Sequence, residues 1–163
     1  MEEIKEKRKQ VRRLLWRWGK VTVTCARLQK QLQDYSSLIE SATDVHGGAL
    51  TGMPGSGTTG DPTARAAERL AYLRGRYQEM VDIITGEIDE EIRFAKAMED
   101  AMECLDVQER RIIEMKYRLG MSTRKIHFST HYHERTVERI DEKAVDKLGN
   151  YIKLSENVGN QGL

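Results

Sequence analysis

The sequence has few cysteines, prolines and aromatic residues, and it contains no long apolar run. Cys25 and Cys104 are its two cysteines, and nothing about their spacing suggests a disulfide framework, which favours a reducing cytosol. The N-terminus is charged and has no apolar core, so we expect no signal peptide, and no apolar run approaches membrane-spanning length. We therefore predict a soluble cytoplasmic chain without a membrane partner.

Net charge is another property that the chain has little of. Lysine and arginine number 27 and aspartate and glutamate 26, so a third of the 163 residues are charged but the net charge is only +1. This balance excludes a protein that binds polyanions through its overall charge. Any binding of nucleic acid must come from a local patch of cations.

The N-terminal segment has the seven-residue repeat of a long amphipathic helix. Apolar residues recur every seventh position from Ile4 to Ile39, and a companion series runs from Leu14 to Ala42. We predict one helix from about Glu2 to Ala42. Gly19 weakens this helix by about 1 kcal/mol relative to alanine, and it marks the place where a bend would fall.

A glycine-rich segment separates this helix from a second one of similar length. Residues 44–60 contain six glycines and no apolar periodicity, which is typical of a flexible linker. Asp61 and Pro62 then supply a cap and a first-turn proline, and the apolar side of the new helix runs from Leu70 to Met102.

Opposite charges indicate how the two helices pair. Residues 1–30 hold ten basic residues against three glutamates, whereas residues 79–103 hold nine acids against two basic residues. This favours an antiparallel, coiled-coil-like hairpin in which the basic residues 5–20 face the acids of residues 87–99. The alternative use of the N-terminal cations is a DNA-contacting arm.

The segment from Asp106 to Leu148 has the features of a helix-turn-helix. Asp106 and Glu109 form the reciprocal capping pattern of a helix that runs to Arg118, and Gly120 stands where that helix ends through a left-handed residue. Ser122 caps the next helix, and a further helix begins near His133 or Glu134. The residues expected to pack these last two helices together are Ile126, Thr130, Tyr132, Val137 and Ile140.

This tail resembles region 4 of sigma-70 factors, through residues 105–117, 122–126 and 135–140. With its helical front half and its loop residues 53–57 and 61–65, the whole chain resembles phage late-gene regulators of the RinA/ArpU type. The resemblance implies a sequence-specific DNA-binding regulator that activates transcription of bacteriophage late genes. Double-stranded DNA and the host RNA polymerase would be its partners, at the nucleoid of the bacterial cytoplasm.

Three histidines depart from the pattern of that family. His127 stands where alanine is usual at the helix crossing, His131 where a glycine makes the turn, and His133 where a serine caps the recognition helix. Each is bulkier or a poorer cap than the usual residue, so we expect a more open turn.

The predicted DNA-binding residues fall into two groups. The outward side of the recognition helix, which begins near His133 or Glu134, would reach base edges and phosphates through His133, Glu134, Arg135, Thr136, Glu138 and Arg139. Four cations on the two preceding helices would bind phosphates: Lys116, Arg118, Arg124 and Lys125. No ligand set of recognisable spacing predicts a metal or cofactor, and no catalytic set predicts an enzyme.

We therefore predict an all-α protein with three segments: a helical hairpin in residues 1–104, a helix-turn-helix domain in residues 105–154, and a disordered tail in residues 155–163. The hairpin would also offer a surface for a homo-oligomer. Two alternatives stay open. One is a phage small terminase subunit that recognises packaging DNA, and the other is a helical protein-binding adaptor.

Overall fold

The computed structural model describes residues 2–44 and 62–159, and within these ranges it contains helices and no strand. The all-α fold class is thereby confirmed. The long helices are α1, Glu2–Asp44, and α2, Pro62–Ala101. After a 3-10 turn at Met102–Cys104, the remaining elements are α3, Val107–Ile113, a π turn, Glu114–Arg118, α4, Thr123–Thr130, and α5, Glu134–Gly159.

The long helices begin and end close to their predicted limits. α1 continues through Gly19, so the helix is not broken there. Of the predicted linker, residues 45–60 lie outside the described residues, and so does the predicted cap Asp61. α5 extends to Gly159, into the segment predicted to be disordered, because no glycine or proline interrupts residues 150–158. Residues 160–163 again lie outside the described part.

The described residues form two compact units. One consists of residues 25–90, in which the rings of Tyr35 and Tyr77 lie 6.2 Å apart and Leu28 and Ile84 are buried. The other, which we call the C-terminal unit, combines the first 24 residues with residues 91 onward. The limits predicted for the domains stay a prediction.

The core of the C-terminal unit is apolar and draws on every long helix present in it. Leu15 of α1, Met102, Ile113, and Leu148 of α5 are fully buried. Further buried members of the same cluster are Val11, Trp18, Met98, Ala101, Leu105, Tyr117, Ala144 and Val145. Each fully buried aliphatic side chain stabilises the fold by about 1.5–3 kcal/mol relative to exposure. The start of α1 is therefore a component of the same core as α3 and α5.

A second, smaller apolar cluster holds α3, α4 and α5 together. Ile112, Ile126 and Val137 are buried at its centre. Partly buried residues packed against them are Met115, Met121, Tyr132 and Ile140. The predicted packing roles of Ile126, Tyr132, Val137 and Ile140 agree with this cluster. Thr130 instead donates its hydroxyl hydrogen to the carbonyl of Ile126 at 2.7 Å.

α1 passes close to the π turn that follows α3. A Cβ added to Gly19 would overlap the carbonyl oxygen of Tyr117, so α1 lies directly against the backbone of the π turn. The ring of Trp16 packs edge-on against that of Tyr117, with centroids 5.1 Å apart. Gly19 is thus required for close approach.

We expect Gly19→Ala to lower the free energy of unfolding by about 1–3 kcal/mol or more, because backbone atoms must move to admit the methyl group. Gly75→Ala and Gly86→Ala are matched controls, since both lie inside α2 and an added Cβ meets nothing within 4 Å. These controls should stabilise the protein by about 0.5–1 kcal/mol. Urea unfolding followed by circular dichroism and by tryptophan fluorescence measures both effects. A Gly19→Ala variant as stable as the controls would contradict the close contact.

Candidate nucleic-acid interface

The start of α3 is fixed by a reciprocal cap. The Asp106 carboxylate accepts the backbone N–H of Glu109 at 2.8 Å, and the Glu109 carboxylate accepts the backbone N–H of Asp106 at 3.0 Å. The predicted capping pattern is confirmed. This arrangement satisfies donors that the first turn of a helix otherwise leaves unpaired.

Two further predicted local features place α4. Gly120 has a positive φ of 63°, as expected for the residue through which α3 and its π turn end. The Ser122 hydroxyl accepts the backbone N–H of Lys125 at 3.3 Å and caps α4. Both predictions are confirmed, and together they direct the chain from α3 into α4.

The three unusual histidines build the connection between α4 and α5. His131 adopts the left-handed conformation, with φ of 60°, in place of the glycine that the resemblance leads one to expect. Nδ1 of His127 lies 2.7 Å from the carbonyl oxygen of Tyr132 and donates to it. Nδ1 of His133 accepts the backbone N–H of Arg135 at 3.4 Å, a weak substitute for a serine cap. The expected widening of the turn stays a prediction.

Most of the predicted base-reading residues meet on one surface of α5. His133, Glu134, Arg135, Glu138 and Arg139 are exposed, whereas Thr136 is partly buried. One shallow depression brings most of them together and adds an acid that was not predicted: its lining is His133, Arg135, Thr136, Glu138, Arg139 and Glu142. Glu134 does not line this depression.

The predicted phosphate-binding cations differ in how free they are. Arg124 and Lys125 are exposed on α4 and, in the part of the chain that the structure describes, have no acidic partner. Lys116 is instead held inside the fold, since its Nζ donates to Asp141 at 2.7 Å. The guanidinium of Arg118 lies 5.6 Å from the ring centroid of Trp18. The two α4 cations are therefore better placed for phosphate than the other two.

A buried carboxylate anchors α5. Asp141 is 1% exposed, and its charge is met by Lys116 at 2.7 Å and by Arg12 of α1 at 3.5 Å. Burial and the nearby Asp141 together raise the pKa of Tyr117, so the phenol stays neutral at physiological pH. The cluster of Asp141, Lys116 and Arg12 thus joins α5, the π turn and α1 on the inner side of α5.

A second buried carboxylate belongs to the cap of α3. Glu109 is 2% exposed and lies 2.7 Å from Nζ of Lys147 and 3.0 Å from Nζ of Lys143. Burial alone would raise the pKa of Glu109, but the hydrogen bonds from Lys147, the Asp106 amide and Lys143 outweigh it and lower the pKa to about 2. Glu109 is therefore ionised throughout the physiological range.

The basic residues of α1 find partners that differ from those predicted. Arg8 binds Asp146 through two hydrogen bonds of 2.7 Å and lies 3.7 Å from Glu142, and both acids are on α5. Arg17, paired with Glu91 at 2.7 Å, follows the predicted pairing with the acids of residues 79–103. The prediction that the basic residues 5–20 face the acids of residues 87–99 is therefore wrong for Arg8 and Arg12, because their partners Asp146, Glu142 and Asp141 lie on α5.

Sequence reasoning missed residues at the edge of the interface. Phe128 on α4 is 65% exposed, with its ring 5.0 Å from that of His127. Glu142 lies one helical turn after Arg139 on the same side of α5, and this spacing was the available signal. Arg8 belongs to the N-terminal cations considered as a DNA-contacting arm, but its pairing with Asp146 carried no signal because the two residues are far apart in sequence.

No protein-family profile, curated protein or solved structure matches this chain. Within the described ranges, no group of three or more histidine, cysteine, aspartate or glutamate side chains is arranged to hold a metal ion. The helices that the structure describes include none long and apolar enough to cross a membrane. The features that bear on function are therefore the geometry of α4 and α5 and the pattern of their residues.

We expect Glu109→Gln to flatten the acid dependence of stability, because glutamine keeps the cap but loses the charge. A folded pKa of about 2 lies below the ordinary 4.5, so ionised Glu109 contributes fully above about pH 5, and that contribution is lost as pH falls toward 2. Urea midpoints between pH 6 and about pH 2 measure it. Glu103→Gln, an exposed acid, is the control and should keep the slope of the unaltered protein. Equal slopes for the two variants would disprove the assignment.

Proposed function

We propose that this protein binds double-stranded DNA in a sequence-specific manner and regulates transcription, with α4 and α5 as a helix-turn-helix. One observation carries the proposal. Arg135 and Arg139 stand one turn apart on the exposed side of α5 and have no acidic partner among the described residues. Arginine pairs spaced in this way present two planar donor groups to the edges of neighbouring base pairs.

The rigidity of α5 supports its role as the recognition helix. Its inner side is held by Val137 in the apolar cluster shared with α3 and α4, and by the buried Asp141. Because these contacts fix the rotation of the helix, the outward arginines are presented in one orientation. An α-helix of this kind fits the major groove of B-DNA, where all four base pairs can be distinguished.

The cations of α4 suit a different task. Arg124 and Lys125 lie in the first turn of α4, behind the Ser122 cap. In the proposed complex they contact phosphates beside the groove that α5 enters. Such contacts position the protein without reading sequence.

Transcription control rests on the resemblance to region 4 of sigma-70 factors and to phage late-gene regulators. Within it we propose activation of phage late genes, with RNA polymerase as the second partner. In this proposal the long helices α1 and α2 form the antiparallel hairpin that their opposite charges favour. The Arg17–Glu91 pair in the C-terminal unit and the Tyr35–Tyr77 contact in the other unit support it. The hairpin is also the proposed surface for self-association.

The proposal is tested by selecting binders for the full chain from a library of random-sequence DNA duplexes. We expect one enriched motif, and Arg135→Ala or Arg139→Ala should each weaken binding to it by about 1–3 kcal/mol, which is about 5–150-fold. Arg74→Ala and Arg76→Ala are the controls, because they remove an exposed arginine from α2. A library that yields no motif, or arginine variants that bind like the controls, would refute the proposal.

The α4 cations generate a separate prediction. Arg124→Ala and Lys125→Ala should weaken binding to the selected duplex and to a scrambled duplex by similar factors. Each should also reduce the slope of log affinity against log salt by about 0.9 if one phosphate contact is lost. Fluorescence anisotropy titrations at several salt concentrations measure both quantities. A loss confined to the selected duplex would move these residues from phosphate to base contacts.

A further inference from the structure

The proposed recognition surface contains acidic residues, although the DNA that it would bind is negatively charged. The outward side of α5 presents Arg135 and Arg139, and the acids Glu138, Glu142 and Asp146 lie on the same side. Glu142 and Asp146 stand three and seven residues after Arg139, which is about 4.5 Å and about 10.5 Å along the helix axis. Both are thus within about one Debye length of Arg139 at 0.1 M salt.

Arg8 of α1 meets both of these acids. Its Nε and Nη2 donate to the two oxygens of Asp146 at 2.7 Å each, and Nη1 lies 3.7 Å from a Glu142 oxygen. The fork geometry is the strong, bidentate form of an arginine–carboxylate pair. The Asp146 side chain remains 44% exposed and that of Glu142 53%, so these acids still face the solvent that DNA would displace.

We propose that Arg8 is a positioning residue for DNA binding, and that it acts by offsetting part of the negative charge of Glu142 and Asp146 next to the recognition arginines. Uncompensated, these two acids would repel the phosphates that flank the groove. The inference rests on the proposed function of α5. It extends the DNA-binding machinery to α1, without a direct contact between Arg8 and DNA.

The neighbouring cations of α1 do not share this arrangement. Arg12 pairs with the buried Asp141, and Lys7 donates to Asn150 at 2.8 Å, which removes no charge from the surface. Arg13 is exposed and has no acidic partner among the described residues. Arg13→Gln therefore removes the same charge from the same helix without uncovering an acid, which makes it the matched control for Arg8→Gln.

The test measures the affinity of full-length variants for a labelled duplex of the selected sequence, at about 50 mM and about 300 mM salt. Arg8→Gln should weaken binding by about three- to tenfold at the lower salt, and the difference should shrink at the higher salt because surface charges are screened. Glu142→Gln with Asp146→Asn should tighten binding relative to the unaltered protein. This tightening should occur even though thermal stability falls with the loss of the ion pair.

The triple variant, with all three charges removed, separates neutralisation from direct contact. Because Arg8, Glu142 and Asp146 together carry a net charge of −1, neutralisation predicts that the triple variant binds at least as tightly as the unaltered protein, whereas a phosphate contact by Arg8 leaves the triple variant weaker than the unaltered protein. A purely structural role predicts that the Glu142→Gln, Asp146→Asn variant binds no more tightly. Either of these last results, or an equal loss for Arg13→Gln, would overturn the proposal. If the unaltered protein binds no duplex, the proposed function fails instead.

Discussion

The carboxylate of Asp141 is buried, and the arrangement of the C-terminal unit depends on the cations that reach it. Lys116 comes from the π turn and Arg12 from α1. An unpaired buried charge costs several kcal/mol, so the two cations stabilise the packing of α5 with Asp141 inward. Successive residues turn by about 100° around a helix, so Arg139 points about 200° away from Asp141. The ion cluster that orients α5 inside the fold therefore also determines which arginines face outward.

Close packing of α1 on the π turn is the condition under which Arg12 reaches that cluster. Gly19 has no Cβ atom, which at this position would overlap the backbone of Tyr117 in the π turn. The ring of Trp16 packs against the ring of Tyr117. The extra residue in the π turn widens the end of α3, where the N–H of Leu119 bonds to the carbonyl of Glu114 at 3.0 Å. The N-terminal helix α1 therefore supports α5 through Arg12 and contacts the π turn at Gly19.

Local signals in the sequence predicted local structure well. The Asp106 and Ser122 caps and the left-handed Gly120 each depend on residues within one turn, and all agree with the structure. The packing of Ile126 and Val137 also agrees, because the helix-turn-helix pattern fixes their spacing. Partners of charged residues were a different matter. Coulomb attraction does not depend on which residues are aligned, so a basic helix attracts any acidic helix. The sequence alone therefore could not show whether α1 pairs with the acids of α5 or with those of α2. Gly19 was interpreted as a weak point of α1. The sequence pattern of a helix does not show that a backbone segment distant in sequence lies against one of its residues.

Internal pairing also bears on how a protein of net charge +1 would recognise DNA. Arg8, Arg12, Arg17 and Lys116 are all engaged by carboxylates within the fold, so these four cations contribute little to a general attraction for phosphate. The remaining unpaired cations at the candidate interface sit on α4 and on the first turns of α5. Non-specific affinity rises with the number of phosphates neutralised, whereas specificity rises with contacts to base edges. In the proposed complex, base contacts by Arg135 and Arg139 would therefore supply a large share of the sequence-specific binding free energy.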